Sequence, residues 1–97
     1  MASRIDLQRR VEAILHHLRS GLTEEDRRNG WTERGRQAMV AFFERMLRDI
    51  HSGESLMPLE YRTILRGLDH WGVMDGSLLD QAAEISNEVA ALVGESA

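Results

Sequence analysis

The stretch Leu68–Asp80, LDHWGVMDGSLLD, sets four potential ligands and a hydroxyl in close succession: Asp69, His70, Asp75 and Asp80 around Ser77, which follows Gly76. Read as chemistry, the run offers carboxylates, an imidazole and a nucleophile. Read as architecture, it ends one helix at Gly72 and starts another at Ser77. Ser77 followed three residues later by Asp80 has the form of a capping box, and acids near a helix N-terminus are favoured by the helix dipole. Asp69 and His70 are adjacent, so on a helix they project about 100° apart and do not converge on one ion. The corner reading accounts for more of the residues, and it predicts two helices meeting here.

Working outward, the helix before the corner opens at Pro58 and buries Tyr61, Ile64, Leu65, Leu68 and Trp71. Gly67 lies inside it, at a cost of roughly 1 kcal/mol relative to alanine, which predicts a close helix crossing at that point. The helix after the corner carries Leu78, Ala82, Ile85, Val89 and Leu92 at alternating spacings of four and three, which predicts a helix from Leu78 to Val93 and a frayed tail over 95–97. The same alternation in Leu7, Val11, Ile14 and Leu18, with Leu15 beside them, predicts a first helix over Arg4–Ser20 between an Ser3 cap and a Gly21 stop. A second helix follows Thr32 and reaches His51, with Met39, Phe43, Met46 and Ile50 as its seam and Gly53 as its end. Between these two, LTEEDRRNGW reads as a short helical turn capped by Thr23, with acids at its start and Arg27 and Arg28 at its end. No stretch alternates with period two, so the expectation is an all-α single domain over 1–97: an up-and-down four-helix bundle with a short extra helical turn between helices 1 and 2.

The composition fits one packed domain: 97 residues, 42% apolar, 29% charged and a single proline. The absence of cysteine excludes disulfides, zinc-thiolate sites and cysteine nucleophiles. The longest apolar run, Ala38–Phe43, is far short of a membrane span, and the N-terminus lacks the apolar core of a signal peptide, so the expected location is cytoplasmic with no membrane association. All twelve basic residues are arginine, the mark of GC-rich codon usage, which points to a bacterial source. The net charge of −4 is unevenly spread, being +3 over residues 1–48 and −7 over residues 49–97. Two mutually attracting halves, or two surfaces with separate partners, follow from such asymmetry.

Four features invite a functional reading. In RRNGWTERGR, Arg27, Arg28, Arg34 and Arg36 flank Trp31, the residue types that hold phosphates and stack a base. The net negative charge opposes a polyanion, so nucleic acid is not the expected ligand, and Trp31 is equally explained as an apolar staple on the following helix. His16 and His17 lack any Glu-x-x-His partner of the di-iron kind, so no metal or other cofactor is expected. Gly76-Ser77-Leu78-Leu79 resembles the attachment serine of acyl carrier proteins, which are small, acidic and four-helical. That family has Asp-Ser-Leu at the start of its second helix, whereas here Gly76 precedes the serine and the helix is the last, so the resemblance is rejected. No local signature marks a catalytic triad, and no catalytic residue is expected.

The fourth feature is Asp80, Glu84 and Glu88, a line of like charges at i, i+4 and i+8 that costs an isolated helix about 0.2–0.5 kcal/mol per pair. Either arginines such as Arg9, Arg10 or Arg45 lie across from it, or a basic surface on another protein does. The stripe is therefore the expected protein-binding site of a non-enzymatic protein, an adaptor, inhibitor, or immunity or antitoxin-like partner. A nucleic-acid-binding regulator using residues 27–36 and a non-catalytic subunit of a larger enzyme are the alternatives. Two tryptophans, two phenylalanines and five methionines are much for four short helices to hide, which adds a homodimer to the expectations.

Overall fold

The first three helices start where a side chain satisfies a free amide of the terminus. The computed structural model describes residues 3–53, 56 and 59–96. Helix α1 (Arg4–Arg19) starts where the Ser3 hydroxyl accepts the Asp6 amide at 3.1 Å, and it buries Leu7, Val11, Ile14, Leu15 and Leu18. Helix α2 (Glu24–Arg28) is held by a reciprocal capping box: the Asp26 amide donates to the Thr23 hydroxyl at 3.1 Å, and the Thr23 amide donates to the Asp26 carboxylate at 2.9 Å. Helix α3 (Glu33–Ser52) starts at Thr32, whose hydroxyl accepts from the Gly35 amide, and stops at Gly53 in the left-handed conformation. Its buried face carries Met39, Phe43, Met46 and Ile50, the expected seam.

Beyond α3 the expected single helix is two, α4 (Leu59–Arg62) and α5 (Ile64–His70), separated by Thr63 at φ −113°, ψ 34°. At that ψ the hydrogen-bond ladder is interrupted, and α5 starts again with the Arg66 and Gly67 amides both donating to the Thr63 carbonyl. The break lets the chain serve two neighbours. Tyr61 sends its hydroxyl to the Asp49 carboxylate of α3, while α4 and α5 both pack on the last helix, with Ile64 and Leu68 buried in the core. Burial, and then the Asp49 contact, push the Tyr61 phenol up to about 12. Its ring meets Phe42 edge-on at 5.7 Å and lies 5.4 Å from the Arg45 guanidinium. Pro58, the expected opening residue of this region, lies outside the described residues.

The last helix, α6 (Ser77–Ser96), runs past its expected end at Val93 and takes up most of the expected frayed tail; Ala97 lies outside the described residues. Leu78, Ala82, Ile85 and Val89 are buried, as their spacing predicts. The protein is all-α, with no strand among the described residues. Helix α1 packs against both α3 and α6, and α4 and α5 pack on α6. The resulting body measures 40 × 21 × 20 Å. Two arginines close helix C-termini from a neighbouring element: Arg4 donates to the Asp49 and Ile50 carbonyls at 3.1 and 3.4 Å, and Arg36 donates to the Leu18 carbonyl at 2.9 Å.

The corner at 68–80 is architectural. Helix α5 ends in a Schellman arrangement, with the Val73 amide donating to the Leu68 carbonyl and the Gly72 amide to the Asp69 carbonyl, both at 3.0 Å, and with Gly72 at φ +86°. The expected Ser77 capping box does not form. The Asp80 amide donates to the Gly76 carbonyl instead, Ser77 is already the first helical residue, and its hydroxyl accepts from the Gln81 side chain at 3.2 Å. Glycine holds the position before the helix because its φ is +106°, a conformation that L side chains rarely adopt, and Asn29 packs against it, its Nδ2 2.3 Å from where a Cβ would lie. The same turn accepts the Met74 amide on the Asn29 carbonyl at 3.0 Å. The corner is thus docked, backbone to backbone, on the connection between α2 and α3.

Candidate functional site

The acidic stripe faces α1. Arg10 reaches across from that helix, its Nε donating to the Glu88 carboxylate at 2.7 Å and its terminal nitrogen to the Glu84 carboxylate. The bond to Glu88, then the charges of both carboxylates, hold the Arg10 guanidinium above its ordinary value against a smaller effect of burial. Glu88 is largely sheltered, its side chain 18% exposed, whereas that of Glu84 is 57% exposed. Asp80 is exposed, and among the described residues no ion pair or hydrogen bond holds its carboxylate. The stripe is therefore divided: two of its three acids meet a cation from within the fold, and Asp80 alone is left to solvent.

This arrangement has a thermal consequence. Changing Asp80, Glu84 and Glu88 together to glutamine removes repulsion worth a few tenths of a kcal/mol, but it also removes both anionic partners of Arg10. Because Glu88 is sheltered, the second effect wins, and the triple variant is expected to melt below the wild type by circular dichroism, while Asp80→Gln alone melts unchanged. A triple variant that melts higher would detach the stripe from the fold.

The basic segment is likewise divided. Trp31 is only 3% exposed and belongs to the core, so its ring is closed to a stacked base. Arg36 grips Glu33 with two nitrogens besides holding the Leu18 carbonyl. That contact is the main reason for the lowered Glu33 carboxyl and the raised Arg36 guanidinium. Arg27, Arg28 and Arg34 remain exposed. Among the described residues no group of three or more histidine, cysteine, aspartate or glutamate side chains is placed to hold a metal. His17 instead meets the buried Asp26 carboxylate at 2.9 Å, and His16 is exposed.

A surface that neither motif marked lies between α3 and the α4–α5 segment. Here a groove of about 350 Å³ is lined by Ala38, Met39 and Phe42 on one side and by Ile64, Gly67 and Trp71 on the other, with Glu60, Thr63 and Arg66 supplying its polar groups. Phe42 and Trp71 are half-buried against the core, and their outer surfaces border the groove. The close helix crossing expected at Gly67 is not made among the described residues, since no described atom lies within 4 Å of a Cβ added there. The close approach falls at Gly35 instead, where a Cβ would lie 3.2 Å from the Thr32 hydroxyl and 3.4 Å from Trp71 Cβ. The sequence signal for the groove was present in the unexplained glycine inside the expected helix that carries Ile64 and Trp71. What the sequence lacked was the knowledge that no described neighbour fills it.

Compared with protein-family models, with curated proteins and with solved structures, the chain matches none of them. No helix among the described residues is long and apolar enough to cross a membrane.

Proposed function

We propose that this chain is a non-enzymatic protein-binding module, an adaptor or inhibitor of the cytoplasm, whose binding face is the groove between α3 and α5. In this reading α4 and α5 together form one rod of an up-and-down four-helix arrangement, and the break at Thr63 sets the width of the groove beside it. The observation that carries it is the open apolar groove with a helix-interior glycine in its wall, a pocket in the size range of ligand and anchor-residue sites. Asp80 and the exposed part of Glu84, on α6 and outside the lining of the groove, act as charges that steer a basic region of the partner, contributing more to the rate of encounter than to affinity.

Nucleic-acid binding is the weaker reading. It retains only Arg27, Arg28 and Arg34 of the residues first considered, on a chain of net charge −4. Affinity capture from the native host, with nuclease added, compares the wild type with Gly67→Leu as bait. Quantitative mass spectrometry is expected to show a protein retained by the first and lost by the second. Identical captures, or a capture abolished by nuclease, would overturn the groove as the binding face.

A further inference from the structure

The groove has a shape and a charge that together specify its occupant. Gly67 sits mid-helix on α5, where glycine is disfavoured, and nothing in the described chain requires it: its φ is not in the left-handed region, and no described atom comes within 4 Å of its missing Cβ. Gly35 shows the contrast, because its missing side chain is explained by Trp71 and Thr32. A glycine facing an open apolar groove, opposite another small residue in Ala38, leaves room for a backbone to approach closely, and the backbone that can do so without unpaired polar groups is that of a helix.

Charge then narrows the partner. Of the two ionic groups among the described residues that line the groove, the Glu60 carboxylate is held by Arg45 at 3.2 Å. The Arg66 guanidinium is exposed and has no ion pair or hydrogen bond among the described residues. Among the described lining residues the uncommitted charge is positive, although the chain as a whole is negative. We propose that the groove receives an amphipathic helix of another protein, which lays its apolar face between α3 and α5, passes a small residue over Gly67 and sets a carboxylate on Arg66. This rests on the reading of the groove as a binding face and names what fills it.

The test is selection of a displayed library of random peptides, each roughly 16 residues and so about four helical turns long, against the full chain. Selected peptides are expected to carry apolar residues at i, i+3 or i+4 and i+7, to favour Asp and Glu over Lys and Arg at one position beside that face, and to gain helical circular dichroism on binding. Their affinity should fall about tenfold or more with Gly67→Leu, which fills the groove, and about tenfold with Arg66→Glu, a reversal that a lysine at the peptide's acidic position should rescue. Since Arg66 is exposed, the second variant remains informative should the first fail to fold. Selected peptides that bind extended, that prefer basic residues, or that ignore both variants would overturn the helix proposal. A wild-type dimer in sedimentation equilibrium that becomes a monomer with Gly67→Leu would also overturn it, by assigning the groove to a second copy. If the helix proposal fails in any of these ways while the host partner is still lost with Gly67→Leu, the groove remains the binding face and only its occupant has been misassigned.

Discussion

Gly30→Ala is expected to destabilise the protein by about 3 kcal/mol or more, which would consume a large part of the stability of a domain this size. Gly30 has φ +106°, where an L side chain is strained, and a Cβ there would lie 2.0 Å from the Gly72 carbonyl oxygen and 3.1 Å from Val73 Cα. Neither obstacle is the free end of a side chain, so relief requires the corner between α5 and α6 to move away from the turn before α3. That movement would strain the bond from the Met74 amide to the Asn29 carbonyl. Gly21→Ala provides the control: Gly21 has φ +100° but open space around it, so its substitution carries the backbone strain alone, about 1–2 kcal/mol. Urea denaturation of the two variants separates the contact from the conformation. Equal losses would show that the two turns are not pressed together.

Asp26→Ala is the second large effect, expected at about 2–3 kcal/mol because several hydrogen bonds to one charged group are lost together. The Asp26 side chain is 10% exposed, and its carboxylate accepts the Thr23 amide and meets His17 Nε2, all at the junction between α1 and α2. Burial by itself would raise its pKa, but the Thr23 amide, His17 and the Thr23 hydroxyl together outweigh burial and leave it below the ordinary value. A carboxyl lowered in the folded state stabilises the fold above its unfolded pKa, about 4, and loses that contribution as pH falls through the lower folded value. The advantage of wild type over Asp26→Ala should therefore be present at pH 5 and shrink as the pH drops below about 4, in denaturation curves recorded at each pH. An advantage that persists undiminished at the acid end would mean that the carboxylate is not the group responsible.

The helices and their caps were legible because each is a local property. The spacing of Leu7, Val11, Ile14 and Leu18 marks a buried stripe whatever lies opposite, and Thr23-x-x-Asp26 forms its box within one turn. The same local rule misled at Ser77-x-x-Asp80, where the corner before the helix turns at Gly76 with φ +106° and is docked on the Asn29 turn from another part of the chain. The break at Thr63 was hidden for a similar reason. Tyr61, Ile64 and Leu68 keep a continuous helical spacing, and only the reach of Tyr61 to Asp49 shows that the segment answers to two neighbours.

For the candidate sites the division is the same. By itself, the sequence determined that this is an all-α chain with no cysteine chemistry, an acidic line at 80, 84 and 88, and a glycine at 67 that a helix does not favour. Tertiary structure decided that Arg10 meets Glu88 from seventy-eight positions away, that Trp31 is buried among core residues, and that nothing described in the chain covers Gly67. Periodicity along a helix records which face is apolar, but the partner of that face is chosen by how the helices are placed, and an ion pair or an empty groove exists only once they are.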